Sequence, residues 1–186
     1  DRVPRGFDDD DRRLLRDLAR LVEREIASAH LATLDAATGL SNRRGFLELG
    51  ATALAVCARS ERNASLMLVE LAPDAEPGEP VTSDDPLATL ASLLMQGHRD
   101  SDVVGRVDDT TLAILMTHCD VPGTDVPLDR LRQAVARHNR ARRNAEPLAF
   151  RAAVIGYEPI RHGSIKALLD DAAARLQAPG AAERAA

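Results

Sequence analysis

The sequence predicts an α/β (α+β) protein. A mixed, mostly antiparallel central sheet is flanked by helices and preceded by a long N-terminal helix. Three observations predict this. Ser65–Leu71 reads SLMLVEL, a continuous apolar run closed by Pro73, which is the pattern of a strand buried on both faces. Val103–Asp108 and Thr111–Met116 are short, β-branched and apolar, and Asp108-Asp109 lies between them. That is a tight hairpin, turned by Asp side chains that bond nearby backbone. Amphipathic stretches at helical spacing separate these strands, giving helix, helix, strand, helix, hairpin, helix, strand, helix.

The first helix begins after Phe7, which is placed to staple it, and Asp8–Asp11 supply a cap and carboxylates at the positive end of its dipole. Leu14, Leu15, Leu18, Leu21, Val22, Ile26 and Ala29 form its apolar stripe. Leu15, Leu18, Val22 and Ala29 fit a heptad seam that Glu25 interrupts. A helix packed on its own domain is one reading. A dimerising helix running in from an upstream domain is the one adopted, because the helix is long and starts the chain. Gly39 breaks this helix, and Ser41 or Asn42 caps a second that runs to about Arg59 through Phe46, Leu47, Leu49, Ala53, Leu54 and Val56.

After the central strand, Pro73–Ser83 is a loop with three prolines and a glycine. Asp84 or Asp85 caps a third helix with Pro86 in its first turn and Leu87, Leu90, Leu93 and Leu94 facing inward. Past the hairpin come a loop at Cys119–Val126, a basic amphipathic helix at Pro127–Arg142 and a strand at Leu148–Gly156. Ser164 caps the last helix, through Ile165, Leu168, Leu169, Ala172 and Leu176, and from Pro179 the chain is a frayed tail.

Composition narrows the function. The 186 residues suffice for one domain with a real core. Aromatics make up 2%, which argues against a stacking surface for single-stranded nucleic acid. Net charge is −5 and pI about 5.5, so no nucleic-acid footprint is expected. Cys57 and Cys119 lack metal or redox spacing and read as reduced thiols of a cytoplasmic protein. His98, His118, His138 and His162 are scattered and read as solvated. No apolar run reaches membrane-spanning length and no signal peptide is present. The start, DRVPRGF, reads as cut from a longer chain.

The segment DAATGLSNRRGF, from Asp35 to Phe46, resembles the D-x-L-T-G-L-x-N-R-R-x-F motif of the GGDEF (diguanylate cyclase) family. Arg99 and Asp102, followed by VVGRV, match that family's R-x-x-D spacing ahead of its signature. LDRLR resembles its A-E-R-L-R helix, and Ile155-Gly156 its S-I-G-V strand. The resemblance covers residues 35–178, with 1–34 as a signalling helix from an upstream sensor, often a GAF domain, and 179–186 as a tail. It implies a nucleotidyl-cyclase-like fold.

Where the family has Gly-Gly-Asp/Glu-Glu-Phe, this chain has Asp108, Asp109, Thr110, Thr111 and Leu112. The family's glycines let a nucleotide approach the turn closely, whereas carboxylate side chains crowd and repel a triphosphate. The family's third signature residue ligates Mg²⁺ and its fourth supports catalysis; Thr110 and Thr111 supply no anionic oxygen. The other family metal position corresponds to Glu70, and one carboxylate is a poor site for two metals on a triphosphate. A shifted metal site at Asp108, Asp109 and Glu70 is disfavoured against an ordinary Asp turn. The guanine-binding Asn of the family has no counterpart in PDAEPGEPVTSD, where Asp84 alone matches a guanine contact. No catalytic residue, metal or cofactor is therefore expected.

Arg99 and Asp102 read either as a helix-end salt bridge, worth little when exposed, or as the family's inhibitory site, which binds cyclic di-GMP. Arg makes bidentate contacts to phosphate or guanine and Asp accepts from guanine N–H groups. The family's third contributor is an Arg in A-E-R-L-R, matched by Arg130. The resemblance thus implies an inactive GGDEF-like domain that binds cyclic di-GMP through Arg99, Asp102 and Arg130 and dimerises through its first helix. A scaffold without nucleotide binding is the alternative, and an active cyclase ranks last.

Overall fold

Five strands, β1 (Ala64–Leu71), β2 (Val103–Arg106), β3 (Thr111–Thr117), β4 (Phe150–Gly156) and β5 (Glu183–Ala185), form one sheet in the order β2-β3-β1-β4-β5. Every pairing between them is antiparallel. The computed structural model describes residues 9–31, 33–72, 85–142, 147–178 and 183–185, and at 23–31 and 183–185 the backbone alone. Phe7, the Asp8 cap, the Pro73–Ser83 loop, Asp84 and Pro179 lie outside the described residues, as do the side chains of Glu25, Ile26 and Ala29.

β1 is central because both its faces are apolar. Met67 and Val69 point to one side with Leu112, Ile114 and Met116 of β3. Leu66 and Leu68 point to the other with Ala113 and Leu115. The strand period of 2 turns a continuous apolar run into two cores. Helices α3 (Pro86–Met95) and α4 (Asp125–Ala141) cover the first face through Leu87, Leu90, Leu94, Leu128, Leu131 and Val135. Helices α2 (Arg43–Arg59) and α5 (Ile165–Gln177) cover the second through Phe46, Leu54, Cys57, Ile165, Leu168 and Ala172. Each fully buried Leu contributes about 1.5–3 kcal/mol, so these two layers carry the fold.

The caps resolve the sequence alternatives. Asn42 Oδ1 accepts from Gly45 N at 3.0 Å to start α2, and Asp85 Oδ1 accepts from Leu87 N at 2.9 Å to start α3. Ser164 caps α5 as expected. Several expectations need correction. Leu49 and Val56 are exposed, and Cys57 takes the buried place on α2 because it falls in phase with Leu54. The first helix, α1 (Asp9–Leu31), ends well before Gly39, which instead turns the following segment at φ +71°. A 3-10 turn at Pro122–Thr124 feeds α4, so that helix starts before Pro127. The C-terminal segment is not simply frayed: Glu183–Ala185 pairs with Phe150–Ala152, adding a strand at the free edge of β4.

Gly105 sets how closely α2 approaches the sheet. A Cβ there would lie 2.8 Å from both Phe46 Cβ and the Ser41 carbonyl oxygen. The bare backbone lets Ser41 bridge to Gly105 and its carbonyl accept from Arg106 N at 2.7 Å. This contact ties the segment after α1 to the strand that leads into the hairpin tip.

Candidate functional site

The hairpin is one residue longer at its bend than the sequence suggests. β2 stops at Arg106, Val107 N donates to Thr111 O at 3.0 Å, and the bend comprises Asp108, Asp109 and Thr110. Asp108 Oδ1 accepts from Thr110 N at 3.0 Å, which is the side-chain-to-backbone bond that makes Asp a turn residue. Arg106 holds the bend from beneath. Its Nε donates to Asp108 O at 3.1 Å and its Nη2 to Asp109 O at 3.2 Å, while Nη1 meets Asp35 Oδ2 at 3.3 Å. Burial opposes ionisation of Asp35, but Thr38 hydroxyl and amide donors and the Arg106 guanidinium together hold its pKa below the usual carboxylate value. Arg43 adds a bond to Val107 O at 2.9 Å.

The polar groups that remain do not fit a metal. Glu70 stands in register with Thr111 on one side and Arg151 on the other, and its carboxylate is paired with the Arg151 guanidinium. The Arg151 cation sits where a metal would need Glu70 oxygen. Thr110 binds back to Asp108, its carbonyl accepts from Leu71 N at 2.9 Å, and Thr111 is buried. Among the described residues no group of three His, Cys, Asp or Glu side chains could hold an ion. Leu112 belongs to the core under α3 and α4.

Arg99, Asp102 and Arg130 do come together. They line one cavity of about 180 Å³ with Met116, Thr117 and Cys119, between the end of α3, the start of β2 and the start of α4. The helix-end salt bridge does not form. Asp102 Oδ2 instead accepts from the Arg99 backbone N–H at 3.2 Å, and Oδ1 accepts from Thr117 N at 3.4 Å. These bonds fix the carboxylate and leave each oxygen a lone pair. The guanidinium groups of Arg99 and Arg130 are exposed and bond no described side chain. The Cys119 thiol is pushed up by burial and by the Asp120 and Asp102 carboxylates, against the opposing pull of Arg99. It is a neutral wall of the cavity.

A larger cavity, about 540 Å³, lies elsewhere, between β4, α5 and the Glu158–His162 turn. His162, Arg161 and Asp171 satisfy one another there. His162 Nδ1 accepts from Glu158 N at 3.0 Å, its Nε2 meets Asp171 Oδ2 at 3.0 Å, and Arg161 pairs with Asp171 at 2.7 Å. His162 is therefore not solvated, as its loop position suggested, but 2% exposed. The hydrogen bond from His162 holds the Asp171 carboxyl below its usual value. The sequence reading also missed Arg106 and Arg151. A charged residue inside an apolar strand run was the available signal for both.

A sheet with paired helices on both faces, a hairpin tip at one end and an arginine-rich cavity behind it defines a nucleotidyl-cyclase-like domain. The chain matches the family described as "Diguanylate cyclase, GGDEF domain" over residues 32–185, and it belongs to that family. No curated protein matches it. Among solved structures, the coiled coil and GGDEF domain of DgcB from Caulobacter crescentus, in complex with c-di-GMP, is 19% identical with a TM-score of 0.73, covering 87% of each chain. The active GGEEF domain of a diguanylate cyclase from Vibrio cholerae is 22% identical with a TM-score of 0.62, over 74% of this chain and 88% of that one. Diguanylate cyclase SiaD from Pseudomonas aeruginosa, solved with its activator SiaC, is 20% identical with a TM-score of 0.64, over 88% of this chain and 67% of that one. At these identities the likeness establishes the fold.

Proposed function

We propose that this GGDEF domain is a catalytically inactive regulatory module that binds cyclic di-GMP through Arg99, Asp102 and Arg130. The observation that carries this reading is the contrast between two sites. At the tip, Asp108 bonds the Thr110 amide, Asp109 pairs with Arg106 and Glu70 pairs with Arg151. In the cavity behind it, two guanidiniums without a partner among the described residues and a fixed carboxylate line the same space. Phosphate and guanine edges are what such groups bind best. The c-di-GMP in the DgcB complex supports the choice of ligand.

Calorimetry with cyclic di-GMP tests it. The wild type is expected to release heat, and Arg99→Ala to bind at least roughly tenfold more weakly, the equivalent of one charge-assisted contact. No heat from the wild type well above micromolar ligand rules the reading out. Incubation with GTP and Mg²⁺ is expected to yield no cyclic dinucleotide, and detectable product would restore the active-cyclase reading.

The exposed stripe on α1 favours a dimer that relays a signal from an upstream sensor in a cytoplasmic protein. Leu14, Leu15, Leu18, Leu21 and Val22 are 48–62% exposed, an apolar surface that a second copy of the helix would cover. Sedimentation is expected to give a dimer for the wild type and a monomer for Leu18→Glu. A monomeric wild type at tens of micromolar would remove the relay. No helix among the described residues is long and apolar enough to cross a membrane.

A further inference from the structure

The cavity holding Arg99 does not end at Arg130. A second cavity of about 210 Å³ opens on the other side of that residue, between α3 and α4. The two share Gly97, Pro127 and Arg130. The Arg130 stem lies across Gly97, whose missing side chain leaves it room: an added Cβ would sit 3.8 Å from Arg130 Cβ and 3.9 Å from its Cδ. Arg130 is thus a partition with space on both sides.

The two compartments differ in chemistry. The first is polar, with Arg99, Asp102 and Thr117. The second is walled by Leu93, Leu94, Leu131 and Ala134, with Gln96 and Arg137 at its rim. Arg137 follows Arg130 by seven residues, two turns of α4, which brings it back to the same side of the helix. Like Arg99 and Arg130, it is exposed and bonds no described side chain. Among the described residues, three unpaired guanidiniums therefore line one continuous cleft, against a single carboxylate, Asp102.

The geometry points to a bipartite ligand site in which Arg137 is a further binding residue. Arg99 and Asp102 hold one nucleotide unit, Arg130 bridges, and Arg137 and the apolar wall receive the second unit of a dinucleotide. Charge complementarity selects this occupant: a row of cations with an apolar wall between them matches a ligand whose two phosphates are joined through sugars that carry planar bases. The inference rests on the cyclic di-GMP reading and deepens it, since a one-phosphate ligand would leave Arg137 unused.

Calorimetry on the full chain separates the two. The probes are cyclic di-GMP and GMP, against wild type, Arg99→Ala and Arg137→Ala. Both replaced side chains are exposed, so all three proteins are expected to fold alike. Arg137→Ala is expected to weaken cyclic di-GMP roughly five- to twentyfold while leaving GMP within about twofold, and Arg99→Ala to weaken both. If the wild type binds cyclic di-GMP and Arg137→Ala matches it, the second compartment is unused and this inference fails while the parent reading stands. If GMP weakens as much as the dinucleotide in Arg137→Ala, the bipartite division fails. If the wild type binds neither probe, both fall together.

Discussion

Replacing Phe46 with Ala is expected to lower the unfolding free energy by about 3–5 kcal/mol. Phe46 is fully buried and lies where α2 presses on β2. The lost transfer energy is only part of the cost. The cavity left behind cannot collapse readily, because its near walls are the Gly105 backbone and the Ser41 carbonyl, and that carbonyl is held by Arg106 N at 2.7 Å. Urea unfolding is the measurement, read as a lower midpoint at unchanged slope. Leu49→Ala on the same helix is the control: its side chain is 53% exposed, and a change within about 0.5 kcal/mol is expected. Similar losses at both positions would mean that α2 is not docked by this contact.

Arg106→Ala is expected to cost about 2–3 kcal/mol, a large effect for a polar residue. The guanidinium supports two bend carbonyls and the partly buried Asp35, so its removal orphans acceptors and leaves a carboxylate without its cation. Lys at the same place recovers only part of the loss, because an ammonium cannot fork to three oxygens. The pH dependence follows from Asp35, whose pKa is lowered in the folded state. A lowered carboxyl contributes stability above its unfolded pKa and loses it as pH falls through the folded value. The gap between wild type and Arg106→Ala is therefore widest at neutral pH and narrows in acid, below the ordinary carboxylate range. Urea midpoints measured across that range check it, and a constant gap would show that Asp35 is not the coupled partner.

Much of the fold was legible in the sequence because burial leaves periodic marks. The run SLMLVEL announced a strand covered on both faces, and Leu66, Met67, Leu68 and Val69 are all buried, alternating between two cores. Caps at Asn42, Asp85 and Ser164 were legible because orphan amides at helix starts call for particular side chains. Leu49 and Val56 misled because an apolar residue carries no mark of which helix face is covered. The bend was misread by one residue because Asp108, Asp109 and Thr110 all favour turns, and only cross-strand pairing fixes the register.

The site divides along the same line. The family resemblance picked out Arg99, Asp102 and Arg130, and the topology brings residues that flank a hairpin and open the next helix to one cavity. It could not tell that Asp102 accepts from the Arg99 and Thr117 backbone amides and not from the Arg99 guanidinium, that Arg151 neutralises Glu70, or that His162 is buried against Asp171. By itself the sequence determined the order of elements up to α5 and the two-sided sheet, since these are properties of residue type and period. The tertiary structure alone decided which charges are paired and which remain open. Pairing depends on side chains distant in sequence meeting within a few ångströms, as Arg106 meets Asp35 across seventy-one positions.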